Sequence, residues 1–209
     1  LDVRAGTRLE GDRKTYQHTV QTFRATSGTV TNQGTVLLEQ LDDQHIEAVL
    51  NTDRKFIEDA WTTAGLWKNM QALFIHFTTV STKILHFSNQ IKNLVDASYL
   101  HFHEKFGFPR LSAPPLNLEK HTLNMITLQE TARQFCLDPV NVAKYKNVVI
   151  NRFYETLVAQ ARQIFEMTRL DAETWLKSAL NPLNLQIREY ENILAKRIGN
   201  FSKIRDSIN

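Results

Sequence analysis

The sequence predicts an all-α protein, an elongated bundle of long antiparallel amphipathic helices. Three observations carry that expectation. Apolar residues recur in alternating steps of four and three along most of the chain, the period of a helix that buries one face. Only 7 Gly and 5 Pro occur among 209 residues, so turns are few and elements long. The hydrophobic fraction of 42% is enough for a core, yet no unbroken apolar run reaches the roughly 18 residues of a membrane-spanning helix.

In the first third, Tyr16, Val20, Phe23, Ser27, Val30, Gly34, Leu37 and Leu41 keep the alternating step. Ser and Gly fill two of those slots, and residues 26–35 are rich in Thr, Gly and Asn, all poor helix formers. Small residues allow close approach of a neighbouring helix; a loop or break near Gly28–Gly34 is the alternative. Residues 43–61 form a further helical stretch through Ile46, Val49, Leu50, Phe56, Ile57 and Trp61, with Asp42 or Asp43 as its cap. A bend is expected at residues 62–65.

The strongest pattern is residues 66–106. Leu66, Met70, Leu73, Phe77, Val80, Ile84, Phe87, Ile91 and Leu94 form an unbroken seam, Ser98 takes one slot, and Phe102 resumes it. Phe74, Leu85 and Val95 widen the seam into a bundle face. Gly107 and Pro109 supply the stop. Residues 108–117 hold three prolines and read as a loop.

Asn117 is expected to cap a helix over residues 118–136, and Asp138–Pro139 to start the next over about 140–169. That helix carries Val142, Tyr145, Val148, Val149, Phe153, Leu157, Ile164 and Met167. The last element is expected from about 171 to 208, with a seam of Leu183, Ile187, Tyr190, Leu194, Ile198, Phe201, Ile204 and Ile208. Pro182 should kink or divide it. The whole of 1–209 is thus expected as one helical, stalk-like region. Residues 1–10 read as a junction to a larger chain, and the late seam suggests that chain or a partner surface continues beyond Asn209.

Charge and cysteine usage exclude several classes. With 25 basic and 22 acidic residues the net charge is +3, too balanced to argue for nucleic acid. The single cysteine, Cys136, permits no internal disulfide and fits a reducing compartment, hence a cytoplasmic protein. No charged and apolar leader follows Leu1.

Candidate chemistry is sparse, and no catalytic, cofactor-binding or metal-binding residue is assigned. His101 and His103 flank Phe102, but residues two apart on a helix point about 160° away from each other, so one ion cannot take both. His76 and His86 lack a partner at ligand spacing. Cys136 sits between Phe135 and Leu137, where cysteine behaves as a small hydrophobe. No phosphate-binding glycine loop occurs. Glu39, Asp42 and Asp43 read as caps and solvated surface. Arg188, Lys196, Arg197, Lys203 and Arg205, mixed with Glu189 and Glu191, read as a solvated bundle face, with anionic lipid or nucleic acid as the alternative. Trp175 and Pro182 read as core and chain break, with a hinge as the alternative.

Three segments resemble a known family. Trp175, Leu176, Pro182, Leu183, Gln186, Ile187, Arg188 and Glu189, followed by a heptad helix, resemble the C-terminal helical region of bacterial dynamin-family proteins. Residues 61–74 (WTTAGLWKNMQALF) and 99–121 (YLHFHEKFGFPRLSAPPLNLEKH) are similar to that family in the same order, so the resemblance spans about 60–205. It implies a stalk or assembly module, without enzymatic activity of its own, of a dynamin-like GTPase. Such a module couples a GTPase domain, absent from this chain, to self-assembly or membrane remodelling. The implied partners are that GTPase domain, further copies of the chain and a membrane surface contacted peripherally; no cofactor and no nucleic acid are expected. The alternative is a free-standing helical adaptor that binds a partner protein in a groove between its seams. A nucleic-acid binder and a bundle-core metalloenzyme stand behind both, since the paired Glu and Glu-x-x-His sets of the latter are missing.

Overall fold

The computed structural model describes residues 2–208, with side chains described for 6–200 and 203. Within them the chain is an all-α helical bundle without strands. The elements are α1 (Asp2–Glu39), α2 (Asp43–Glu58), α3 (Thr63–Phe106), α4 (Glu119–Leu137), α5 (Pro139–Val142), α6 (Lys146–Phe153), a π-helical turn at Tyr154–Val158, α7 (Ala159–Ser178) and α8 (Asn181–Ile208). No described helix is long and apolar enough to cross a membrane.

α1 runs unbroken through residues 26–35, so the alternative of a loop there does not hold. Its threonines fold their hydroxyls back onto the helix: Thr19 donates to the Thr15 carbonyl at 2.8 Å and Thr29 to that of Ala25 at 3.1 Å. Burial of Val30, Gly34, Leu37 and Leu41 outweighs the weak propensity. Gly34 is buried, whereas an added Cβ at Gly28 would meet nothing within 4 Å, so close approach of a neighbour does not explain Gly28.

α2 starts on Asp42, whose carboxylate accepts the Gln44 N–H at 3.3 Å, and buries Ile46, Leu50 and Ile57. Phe56 and Trp61, expected on its apolar face, are exposed instead. The Thr62 hydroxyl accepts the Gly65 N–H at 3.0 Å, so the bend lies just before α3 and Gly65 already belongs to the helix. α3 buries Leu66, Met70, Leu73, Phe77, Ile84, Ile91 and Phe102, with Phe74 and Val95 on the widened face, as its seam predicts. Ser88 and Ser98 occupy that face at little polar cost, because each hydroxyl bonds a carbonyl of its own helix. Gly107, at φ +68°, ends the helix in the left-handed region that favours glycine.

Three boundaries differ from expectation. Asn117 caps nothing: the position before α4 is Leu118, which lacks a side-chain cap. The helix expected over 140–169 is interrupted. Asp138 does cap it, accepting the Val140 N–H at 2.9 Å, but α5 stops after four residues because buried Asn141 turns inward. Its amide donates to the Phe135 carbonyl at 3.0 Å and its oxygen accepts from Arg152 at 3.2 Å. Residue 171 starts no helix, since α7 continues to Ser178. The division comes at residues 179–180, and Pro182 sits in the first turn of α8, where its missing N–H costs nothing.

The chain clusters into two compact units, Leu1–Asn32 with Asn93–Pro114 and Leu176–Asn209, and Gln33–Lys92 with Pro115–Trp175. The first is aromatic at its core. Phe23 meets Phe102 edge-on at 6.3 Å, and Phe108 bridges Phe102 and Tyr190 at 5.9 and 6.1 Å. In the second, Phe74 meets Phe77 and Phe153, and Phe77 meets Phe165, all near-perpendicular at 5.4 to 5.6 Å.

Candidate functional site: an exposed aromatic and basic loop cluster

Within the second unit, the α2–α3 turn and the α5–α6 connection are drawn together by one side chain. Lys146 donates to the carbonyl of Glu58 and, at 2.9 Å, to that of Ala60, so it satisfies acceptors left over at the end of α2. Asn141 secures the second segment from behind.

These two segments present apolar side chains to solvent. Trp61 is fully exposed and Tyr145 is 87% exposed, while Leu137, Val140, Val142 and Val148 are each at least half exposed. Leaving such surface in water forgoes about 25 cal/mol per Å². Between the segments lies a cleft of about 200 Å³, whose lining includes Trp61, Trp67, Thr62, Thr63, Lys144 and Lys146. No carboxylate lines it.

A second concavity, of about 480 Å³, lies between α4 and α7, with Asn124, Thr127, Gln160, Gln163 and Met167 in its wall. At its edge the His121 Nε2 stands 2.8 Å from the Asp171 carboxylate, which Lys120 also reaches at 2.8 Å. Hydrogen bonds from Lys120 and then His121 hold the Asp171 carboxyl below its ordinary value. His121 is buried and anchors α4 to α7.

The histidines singled out in the sequence do not converge. His103 places Nδ1 2.7 Å from the Phe108 carbonyl, while His101 is exposed with its ring edge-on to Phe102. His76 faces Asp53 at 3.4 Å and His86 faces Gln90 at 3.2 Å. Among the described residues no group of three or more His, Cys, Asp or Glu is placed to hold a metal. Burial pushes the Cys136 thiol up to about 11, which keeps it protonated and unreactive at neutral pH. Trp175 is buried. Glu39 and Asp43 are exposed.

On α8, Arg188, Lys196, Arg197 and Lys203 are exposed, with Arg197 3.7 Å from Asp12; the side chain of Arg205 and those of Phe201, Ile204 and Ile208 lie outside the described residues.

Val142, Tyr145 and Val148, which the apolar step places on one helix with Val149 and Phe153, are all exposed. The available signal was the stretch DPVNVAKYKNVV, where a first-turn proline and two lysines interrupt the apolar step. Compared with known proteins, the chain matches no family model, no curated protein and no solved structure.

Proposed function

We propose that this chain is a non-enzymatic helical module of a dynamin-like GTPase that couples a GTPase domain to self-assembly and membrane remodelling, acting in the cytoplasm as a peripheral membrane protein. The single observation that carries the membrane part of this reading is that exposed Trp61 and Val142 line one cleft with Lys144 and Lys146, with exposed Val140 and Tyr145 next to them in the chain. Aromatic rings with one polar end, aliphatic side chains and lysines in one cluster match the chemistry of a bilayer interface. The GTPase connection rests on the resemblance of residues 60–205. The adaptor reading draws on the amide-lined groove between α4 and α7.

Flotation with phospholipid vesicles tests the proposal. The folded chain should bind, Trp emission should shift to the blue, and Trp61→Ser combined with Tyr145→Ser should weaken binding by about tenfold or more. Both side chains are exposed, so the double variant should keep its thermal midpoint. Failure to bind vesicles of any composition would overturn the membrane part and leave the adaptor. Tight GTP binding by the chain alone would overturn the assignment of nucleotide chemistry to a separate domain.

A further inference from the structure

We infer that the cleft between the α2–α3 turn and the α5–α6 connection receives the phosphate of an anionic phospholipid headgroup, so that the loop cluster selects negatively charged bilayers. The inference rests on the membrane reading above and adds to it the chemical class of lipid.

Charge in the cleft is one-sided. Lys144 and Lys146 line it and no Asp or Glu does. The Lys144 ammonium group has no carboxylate or carbonyl partner among the described residues, in a chain whose other surface cations include several paired ones, such as Arg54 with Glu58, Arg133 with Glu130 and Arg162 with Glu47. Lys146 uses two of its three donors on Glu58 and Ala60, which leaves one donor and the full charge. The Thr62 hydroxyl already accepts the Gly65 N–H, so its own proton is free to be donated outward.

The apolar surroundings decide which phosphate. Trp61, Trp67 and the exposed Val142 line the same cleft as the lysines. Bases of a nucleic acid could stack on the indoles and a phosphopeptide could set a few side chains against them, but neither offers an apolar phase to the exposed Val140, Val142 and Val148. A phospholipid supplies both parts, phosphate for the lysines and the acyl boundary for the valine and indoles.

The test is vesicle binding by the full chain, read by flotation and by Trp fluorescence, on phosphatidylcholine alone and on phosphatidylcholine mixed with phosphatidylglycerol. The mixed vesicles should bind several-fold more tightly. Lys144→Gln should remove about fivefold of that gain, the value of one lysine near a charged surface, without changing binding to phosphatidylcholine, and Lys144→Arg should restore it. Lys83→Gln, an exposed α3 lysine outside the cleft, makes the same change of charge and should do much less. Equal binding to the two vesicle types would overturn the inference while the membrane reading stands, as would equal effects of Lys144→Gln and Lys83→Gln. Full displacement by inorganic phosphate at matched ionic strength would show a phosphate site that is not a lipid site, and would overturn it too. Absence of binding to every vesicle would remove the membrane reading and this inference together.

Discussion

The Lys146 ammonium group donates to the Ala60 carbonyl at 2.9 Å, joining residues that lie 86 apart in sequence. That bond and its companion to Glu58 tie α6 to the end of α2 and hold the loop cluster together. Lys146→Met keeps the stem and removes the donors. It should cost at most about 1 kcal/mol, since the group is exposed and water replaces it in part. Hydrogen exchange at residues 59–63 should accelerate while exchange in the middle of α3 is unchanged.

Tyr99 plays a comparable part in the first unit. Its hydroxyl donates to the Ala179 carbonyl at 2.8 Å, where the chain leaves α7 and has not yet entered α8. Tyr99→Phe removes that buried hydrogen bond and should cost about 1 to 2 kcal/mol, read as a lower urea midpoint with an unchanged slope.

The Asp171 carboxyl titrates below its ordinary value of 3.8 when folded, because Lys120 and His121 donate to it. Its contribution is therefore present above the unfolded value and is lost as pH falls through the lowered folded one. Acid titration of stability should show this loss below about pH 4. Asp171→Asn should lower stability at neutral pH and flatten that acid limb. An unchanged limb would mean that the contact has no energetic weight.

Phe153 packs among Phe74, Phe135 and Tyr154 with ring centres 5.6 to 5.8 Å apart and is fully buried. Phe153→Ala should cost about 3 to 5 kcal/mol from lost transfer energy and the cavity left behind. Phe56→Ala, the same change at a largely exposed ring, should stay within about 0.5 kcal/mol. Thermal or urea unfolding of the two variants separates a core position from an apolar residue that merely shares the sequence pattern.

The sequence by itself determined the helical class, the course of α3 and the local stops and starts at Asp42 or Asp43, Gly107 and Asp138. Periodicity, capping and the conformational freedom of glycine act over a few residues, so they can be read from neighbours alone. The persistence of α1 through Gly28 and Gly34 was open in the sequence and was decided by burial of Val30, Leu37 and Leu41, a tertiary effect that overrides propensity. Only the tertiary structure decided where the later helices divide. The inward turn of Asn141 depends on Arg152, the link after α7 is bonded by Tyr99 from 80 residues away, and α2 ends on Lys146 from another helix. It also decided which apolar residues stay uncovered. Val149 and Phe153 are buried while Val142, Tyr145 and Val148 of the same stretch face solvent with Trp61. A one-dimensional pattern shows that a face is apolar; whether another element covers it depends on contacts between segments far apart in the chain. The candidate site combines a few of these uncovered apolar residues with Lys144 and Lys146.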